Sequence, residues 1–199
     1  CPYAMRARMA LNLANIRCEI REVSLKNKPQ SMIKLSPKAT VPVLYVNDKV
    51  IDESIEIINW ALLKKNIFKN RLTQEQEEYS NEIIRLFDEE FKPSLDRYKY
   101  NNRYKNENRE EHKKKCLKIL KKIEINMNSS SKWFFSDDIN KIDISILPFI
   151  RQFRLADECW FDNTNELGQT KQWLDSFLKS SLFRNIMIKK ENWVDGDKP

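Results

Sequence analysis

The sequence predicts an α/β region followed by an all-helical region. Residues 1–65 alternate between helical and strand-like periodicity in the order α-β-α-β-β-α, and from Thr73 onward apolar residues recur at helical spacing. A chain of 199 residues can bury a sufficient core either as one domain or as two small ones. We therefore expect an α/β domain over 1–65, a linker over 66–72 and an all-helical domain over 73–199.

The first helix begins at a Cys-Pro pair. Proline favours the first helical position because its missing N–H would have no partner there and its φ is already helical. Cys1 therefore lies at or just before a helix N-terminus, where unpaired N–H groups and the helix dipole favour an anion. A thiol in such a position typically has a pKa of roughly 3.5–7.5 instead of about 8.5, and Arg6 and Arg8 add positive charge nearby. Cys1 is therefore a candidate nucleophile.

The fourth position of this motif indicates which kind of thiol chemistry is available. A dithiol redox motif has a second cysteine there, whereas this chain has Ala4. Cys18 would lie about 20 Å away at 1.5 Å per helical residue, and the Cα atoms of a disulfide lie within about 7 Å. A mixed disulfide on Cys1 would need a thiol from outside, such as glutathione. The alternative is a buried, inert cysteine that merely begins the helix.

The remaining elements of the first region follow from periodicity and turn residues. Ile16–Val23 alternates like a half-buried strand, and Thr40–Val46 resembles a strand entered through proline. The other expected elements are a short helix over 31–35, a turn at Asn47-Asp48, a strand at Val50-Ile51, and a helix capped by Ser54. The strands in this pattern form a complete sheet only if one more strand precedes Cys1.

The helical region carries caps and breakers that define its helices. Thr73 and Gln76 form a capping box at the start of a long helix, which Pro93 should kink or end. A second helix is expected over about 108–127, and two more over about 170–179 and 181–190. Asn140 followed by Asp143 predicts another capped helix, in which we interpret Asp143 as structural.

Composition excludes several classes of protein. The four cysteines are scattered, without metal-ligand spacing, so we expect reduced thiols, no metal site and a cytoplasmic setting. No apolar run approaches 18 residues, so no membrane span is predicted. The net charge of +7 includes a lysine-rich stretch at 112–122, but charge opposite apolar residues at helical spacing is typical of a solvated helix face. We therefore predict no nucleic-acid binding, and an exposed His112.

Four short motifs together resemble the glutathione transferase superfamily. They are Cys1-Pro2-Tyr3, Lys28-Pro29, Thr40-Val41-Pro42-Val43-Leu44 and Asp52-Glu53-Ser54, in the order and spacing of that family. The resemblance is closest to the cysteine-type branch, which includes omega-class transferases and two-domain glutaredoxins. It implies a thioredoxin-like domain whose first strand immediately precedes the cysteine and lies in the middle of the sheet, followed by an all-helical bundle. The strand expected before Cys1 would then lie outside this chain.

The resemblance also implies a role for each motif residue. Cys1 would be the nucleophile, and a cis Val41–Pro42 bond would expose the Val41 backbone to the cysteinyl backbone of glutathione. Ser54 would bind the γ-glutamyl carboxylate and Glu53 the γ-glutamyl ammonium, while Lys28 would contact the glycine carboxylate. Taken singly, the last three are better explained by a capping serine, a solvated glutamate and a surface lysine. Together, at these offsets from Cys1, they favour the binding roles.

The implied activity is that of a glutathione-dependent thiol transferase or reductase. A single cysteine is typical of deglutathionylases and dehydroascorbate-type reductases, whereas a tyrosine or serine usually activates glutathione for conjugation. The implied partners are glutathione, as co-substrate, and a small-molecule or protein disulfide, and a homodimer is compatible with the family. The alternative is a non-catalytic regulatory protein of the same fold, like the stringent starvation type that binds RNA polymerase.

Overall fold

The computed structural model describes residues 1–68 and 71–197. It divides into two compact units, one formed by Cys1–Ile67 with the segment that begins at Ser180, and one that runs from Phe68 to Lys179. The segment from Ser180 thus groups with the first unit, although the sequence places it in the helical domain. Of the expected linker over 66–72, residues 69 and 70 lie outside the described residues.

The first unit contains a β-hairpin and helices on either side of it in sequence. Its elements up to residue 64 are α1 (Pro2–Leu13), α2 (Gln30–Leu35), β1 (Leu44–Val46), β2 (Lys49–Ile51) and α3 (Ser54–Lys64). β1 and β2 pair in antiparallel fashion, with Leu44 opposite Ile51. The expected turn between them is confirmed: Asn47 and Asp48 have φ values of 48° and 59°, as a two-residue hairpin turn requires.

The prediction of a strand over Ile16–Val23 is wrong. Within the described residues this segment makes a single isolated bridge, in which Glu22 pairs in parallel with Asn192. An alternating sequence becomes a strand only when a neighbouring backbone completes its ladder of hydrogen bonds. No neighbouring strand lies beside 16–23 in the described part of the chain, so the segment is extended without a ladder.

The core of the first unit lies between α1 and α3. Ala7, Leu11 and Ile57 are buried against one another, and Ile16, Leu44, Ile51 and Trp60 pack around them. Alanine on the inner face of α1 lets the two helices approach closely, because its side chain ends at Cβ. This packing sets the distance between the N-termini of α1 and α3. The candidate site lies at these two N-termini.

The described residues of the second unit form helices joined by turns and loops, without a strand. Its elements are α4 (Gln74–Leu86), a π-helical segment (Phe87–Phe91), α5 (Lys92–Lys99), a short 3₁₀ helix (Asn101–Arg103), α6 (Arg109–Glu124), α7 (Lys141–Arg154), α8 (Glu158–Asn163) and α9 (Gly168–Leu178). The predicted Thr73–Gln76 capping box is confirmed. The sequence did not predict α8.

The expected effect of Pro93 is confirmed in a specific form. The proline lies in the first turn of α5, and the helix widens to π geometry over the five residues before it. A proline inside a continuous α-helix would clash with the carbonyl of the residue four positions earlier. A π segment changes that spacing, and it places the rings of Phe87 and Phe91 in a stack with centroids 4.3 Å apart.

Asp143 is structural, as predicted, and is fully buried. One carboxylate oxygen accepts the backbone N–H of Asn140 at 2.8 Å and completes the capping box of α7. The other accepts the backbone N–H of Phe134 and the indole N–H of Trp173, at 2.9 and 2.7 Å. Burial raises the pKa of Asp143 to about 7, against the opposing effect of these three donors.

The prediction that His112 is exposed is wrong. His112 is buried on the same stripe of α6 as Cys116 and Ile119, because these residues recur at helical spacing. Its Nε2 lies 2.6 Å from a carboxylate oxygen of Glu107, whereas its buried Nδ1 has no hydrogen-bond partner among the described residues.

The last helix among the described residues is α10 (Ser181–Ile186), which belongs to the first unit and packs against α1. Within residues 1–68 and 71–197, every helix is too short or too polar to cross a bilayer.

Candidate functional site

Cys1 lies at the start of α1, where the sequence predicts it. It is the N-cap residue, Pro2 occupies the first turn, and the thiol is exposed. The Cys1 Sγ atom lies 3.8 Å from the carbonyl oxygen of Val41. The thiol is therefore accessible at a helix N-terminus and close to the backbone of a second segment, 40 residues further along the chain.

That second segment contains the cis peptide bond expected between Val41 and Pro42. Both residues are half-buried, and Val43 separates them from β1. The structure thus brings together two of the motifs on which the resemblance rests, the Cys-Pro pair and the Val-Pro pair.

Glu53 and Ser54 lie at the start of α3, but Ser54 is not the helix cap that the sequence predicts. Glu53 is the N-cap residue, although its side chain makes no capping hydrogen bond, and Ser54 is the first residue inside the helix. Ser54 is buried, whereas the Glu53 side chain is 59% exposed. The α3 N-terminus therefore presents one buried hydroxyl and one solvent-accessible carboxylate.

Arg6 connects the start of α3 to the helix that begins at Cys1. Its side chain is fully buried, and its Nη1 donates a hydrogen bond to Ser54 Oγ at 3.5 Å. The guanidinium also lies 5.3 Å from the centre of the Tyr3 ring. Sequence reasoning gave Arg6 only the role of a nearby positive charge. Its burial could have been expected from its position one residue before Ala7 on the packed part of α1.

Lys38 is a site residue that sequence reasoning missed. Its ammonium lies 3.1 Å from a carboxylate oxygen of Asp52 and 2.9 Å from one of Glu53. The Ser36 hydroxyl also donates to Asp52, at 2.7 Å. Hydrogen bonds from Ser36 and then Lys38 lower the pKa of Asp52, so this group of charges persists at neutral pH. No periodic pattern in the sequence indicates a contact between loops fourteen or fifteen residues apart.

Lys28 is not brought into contact with these residues. It is half-buried, and its ammonium donates to the carbonyl oxygen of Leu25 at 2.9 Å. Within residues 1–68 and 71–197, no group of three or more histidine, cysteine, aspartate or glutamate side chains could hold a metal ion.

This arrangement offers three kinds of interaction. An exposed thiol can act as a nucleophile, an extended backbone beside it can pair with a peptide-like ligand, and a second helix N-terminus can accept a carboxylate. The Glu53 carboxylate can accept hydrogen bonds from an ammonium group. A ligand that combines a thiol, peptide bonds, a carboxylate and an ammonium group matches these features.

Comparison with known proteins shows similarity to glutathione transferases. Residues 1–66 match the family model of the glutathione S-transferase N-terminal domain. The chain is 27% identical to glutathione S-transferase omega-1 of Rattus norvegicus, in an alignment that covers 98% of this chain and 80% of the relative.

Solved structures share the fold across both units. The tau-class glutathione S-transferase MiGSTU from mango, Mangifera indica, is 21% identical with a TM-score of 0.79, covering 95% of this chain and 89% of that one. A glutathione transferase family member from Pseudomonas fluorescens, solved with two glutathione bound, is 14% identical with a TM-score of 0.76, covering 93% and 88% of the two chains. The first unit is accordingly thioredoxin-like, and the second is the helical domain that follows it in this fold, so the chain has the fold of the glutathione transferases.

Proposed function

We propose that this protein is a glutathione-dependent thiol transferase or reductase that uses Cys1 as its single nucleophile. The observation that carries the proposal is the position of the Cys1 thiol, exposed at the N-terminus of α1 and 3.8 Å from the Val41 carbonyl. Unpaired N–H groups at a helix N-terminus stabilise a thiolate, which is the nucleophilic form.

Glutathione would bind next to Cys1, in contact with residues from three later segments of the first unit. The Val41 backbone, held next to Pro42, would pair with the cysteinyl backbone of glutathione, as an added strand does. The α3 N-terminus and Ser54 would bind the γ-glutamyl carboxylate, and Glu53 would bind its ammonium group. Lys28 would contact the glycine carboxylate. The match of residues 1–66 to the glutathione S-transferase N-terminal domain supports glutathione as the co-substrate, as does the similar structure solved with two glutathione bound.

The proposed reaction has two balanced thiol–disulfide exchanges. The Cys1 thiolate attacks the glutathione sulfur of a mixed disulfide, which breaks the S–S bond and releases the substrate as a thiolate that takes up a proton. The thiolate of a second glutathione then attacks the glutathionyl sulfur on Cys1. This step releases glutathione disulfide and returns the Cys1 thiolate, so that one disulfide is reduced and one is formed.

The cysteine at position 1 favours a reductase over a conjugating transferase. A cysteine can form the mixed disulfide itself, whereas a hydroxyl can only activate glutathione. The substrate would be a protein or small-molecule disulfide, or a dehydroascorbate-like oxidant. The absence of disulfides among the four cysteines is compatible with a reducing compartment such as the cytoplasm.

We include a homodimer in the proposal, and sedimentation at increasing protein concentration tests it.

The test is turnover of a glutathionylated peptide in the presence of glutathione. We expect the wild-type chain and Cys18→Ser to release the peptide thiol at similar rates and Cys1→Ser to release none above background. Cys18 is the matched control because it is also exposed but lies outside the site. If the wild-type chain neither binds glutathione nor releases the peptide, the proposal fails and the regulatory alternative is favoured.

A further inference from the structure

The segment after α10, residues 187–197, lies along the outer edge of the first unit, and we call it the C-terminal strap. Asn192 pairs in parallel with Glu22, and the backbone N–H of Trp193 donates to the Glu22 carbonyl at 2.7 Å. The Arg21 guanidinium lies over the indole ring of Trp193, 4.4 Å from its centroid. These contacts attach the strap to the chain immediately before the segment that carries Lys28.

A second set of contacts attaches the strap immediately after Lys28. The Asp195 carboxylate accepts the backbone N–H of Gln30 at 2.7 Å and that of Ser31 at 3.4 Å, and it also accepts the Ser31 hydroxyl. The Ser31 hydroxyl, followed by the two N–H groups, lowers the pKa of Asp195. Asp195 is therefore a carboxylate at neutral pH and satisfies the first turn of α2.

The strap is also anchored to the helix that begins at Cys1. The Arg8 guanidinium donates to the carbonyl of Ile188 at 3.4 Å and pairs with the Glu22 carboxylate at 3.6 Å. α10, which leads into the strap, packs against α1. The strap thus has a fixed beginning on α1 and contacts on both sides of residues 23–29.

Residues 23–29 have little regular structure of their own. They lie outside the helices and strands of the unit, and Asn27 donates to the Ser24 carbonyl at 3.2 Å while Lys28 donates to the Leu25 carbonyl at 2.9 Å. These two bonds are internal to the segment, and a third, from the Ile33 N–H to the Pro29 carbonyl at 3.2 Å, joins it to α2, the helix that Asp195 contacts. They do not set the position of the segment relative to the rest of the unit. The contacts at Glu22 and at Gln30–Ser31 do so.

We propose that the C-terminal strap is a positioning element for Lys28, and that Asp195 is its principal residue. This inference rests on the proposed function, in which Lys28 binds the glycine carboxylate of glutathione. By holding both ends of residues 23–29, the strap places the Lys28 ammonium for that contact. Asp195 acts through Lys28 and touches neither Cys1 nor the γ-glutamyl end of the site.

The test compares two ligands that differ at the glycine end. Glutathione carries the glycine carboxylate, whereas γ-glutamylcysteine lacks the glycine. We expect Asp195→Asn to weaken glutathione binding by roughly threefold to tenfold and to leave the affinity for γ-glutamylcysteine unchanged. Glu191→Gln is the matched control, since it removes the same charge from an exposed side chain of the same strap, and we expect it to change neither affinity.

Two further measurements separate this effect from misfolding. Amide hydrogen exchange at Gln30 and Ser31 should accelerate in Asp195→Asn and not in Glu191→Gln, while far-UV circular dichroism stays that of wild type. In a Lys28→Ala background, Asp195→Asn should cause no additional loss of glutathione affinity. Trp193→Leu, which removes the ring over Arg21, should show the same selectivity for glutathione.

The proposal is overturned if Asp195→Asn behaves like Glu191→Gln, or if it weakens both ligands equally. It is also overturned if its effect persists in full in the Lys28→Ala background. These outcomes differ from failure of the proposed function itself, in which the wild-type chain binds neither ligand, and which removes the basis of the inference.

Discussion

The fully buried guanidinium of Arg6 donates a hydrogen bond to the Ser54 hydroxyl across 3.5 Å. This bond joins the helix that begins after Cys1 to the helix that begins at Ser54. The same two helices pack through Ala7, Leu11 and Ile57. The spacing between the thiol and the α3 N-terminus is therefore set by buried contacts, which supports the proposal that one ligand spans both.

The first prediction concerns Arg6. We expect Arg6→Met to reduce the free energy of unfolding by about 1–3 kcal/mol, because the buried Ser54 hydroxyl loses its donor. Glutathione affinity should also fall, since Ser54 is no longer oriented. Denaturant unfolding and calorimetric titration measure the two effects. Arg17→Met, at an exposed position shortly after α1, is the control and should change the unfolding free energy by no more than about 0.5 kcal/mol. Equal effects of the two substitutions would contradict the role of Arg6.

The second prediction concerns Lys38, which orients Glu53 through an ion pair at 2.9 Å. We expect Lys38→Gln to weaken glutathione binding by about threefold, because solvent screens an exposed ion pair and leaves it a small effect. Lys49→Gln, on the exposed side of β2, is the control with the same loss of charge and should leave affinity unchanged. The ionic strength should be matched in both titrations. If the two variants bind glutathione equally well, Lys38 does not orient Glu53.

The third prediction concerns pH and the buried Asp143. Burial raises the pKa of its carboxyl to about 7 in the folded protein, while an unfolded aspartate titrates near its usual value of about 3.9. Between these values the folded state binds more protons than the unfolded state. The contribution of Asp143 to stability is therefore greatest below about pH 4 and falls as the pH rises to about 7, by roughly 1 kcal/mol per pH unit.

Urea unfolding of wild type and Asp143→Asn at pH 5 and pH 7.5 measures this contribution. Asparagine does not titrate, so the difference in unfolding free energy between the two proteins isolates Asp143 from other ionisable groups. We expect wild type to lose more stability than the variant between pH 5 and 7.5. The difference in unfolding free energy between the two proteins could instead stay constant with pH, or grow in favour of wild type as the pH rises. Either result would show that the three N–H donors offset or outweigh the effect of burial on the pKa of Asp143.

The features that could be predicted from the sequence depend on residues close together in the chain. The helix start at Cys1-Pro2, the turn at Asn47-Asp48 and the capping boxes at Thr73 and Asn140 are each set within four residues. Their local hydrogen bonds form in whatever tertiary context the segment occupies. The fold class followed from the order of such elements, and the resemblance to the glutathione transferase superfamily followed from the spacing of four motifs.

The features that could not be predicted depend on distant partners. Ile16–Val23 alternates correctly, yet a strand also needs a neighbouring backbone, which the described residues do not supply. The contacts of Lys38 with Glu53 and of Asp195 with Ser31 join loops 15 and 164 residues apart, for which periodicity carries no signal. The lysine neighbours of His112 indicate an exposed side chain, whereas its position on the apolar stripe of α6 determines that it is buried.

The nucleophile itself can be tested on the intact chain, because the other cysteines provide internal controls. Burial raises the pKa of the Cys18 thiol and raises that of Cys116 to about 12. Both therefore hold less of the reactive thiolate at neutral pH than an unperturbed cysteine. Cys159 is exposed on the second unit and serves as a further control.

The most direct measurement is the intact mass of the protein after brief incubation with glutathione disulfide at neutral pH. We predict a single glutathionyl adduct in wild type, Cys18→Ser and Cys159→Ser, which is lost on addition of reduced glutathione, and no adduct in Cys1→Ser. An adduct that persists in Cys1→Ser, or none in wild type, would contradict the assignment of Cys1 as the nucleophile.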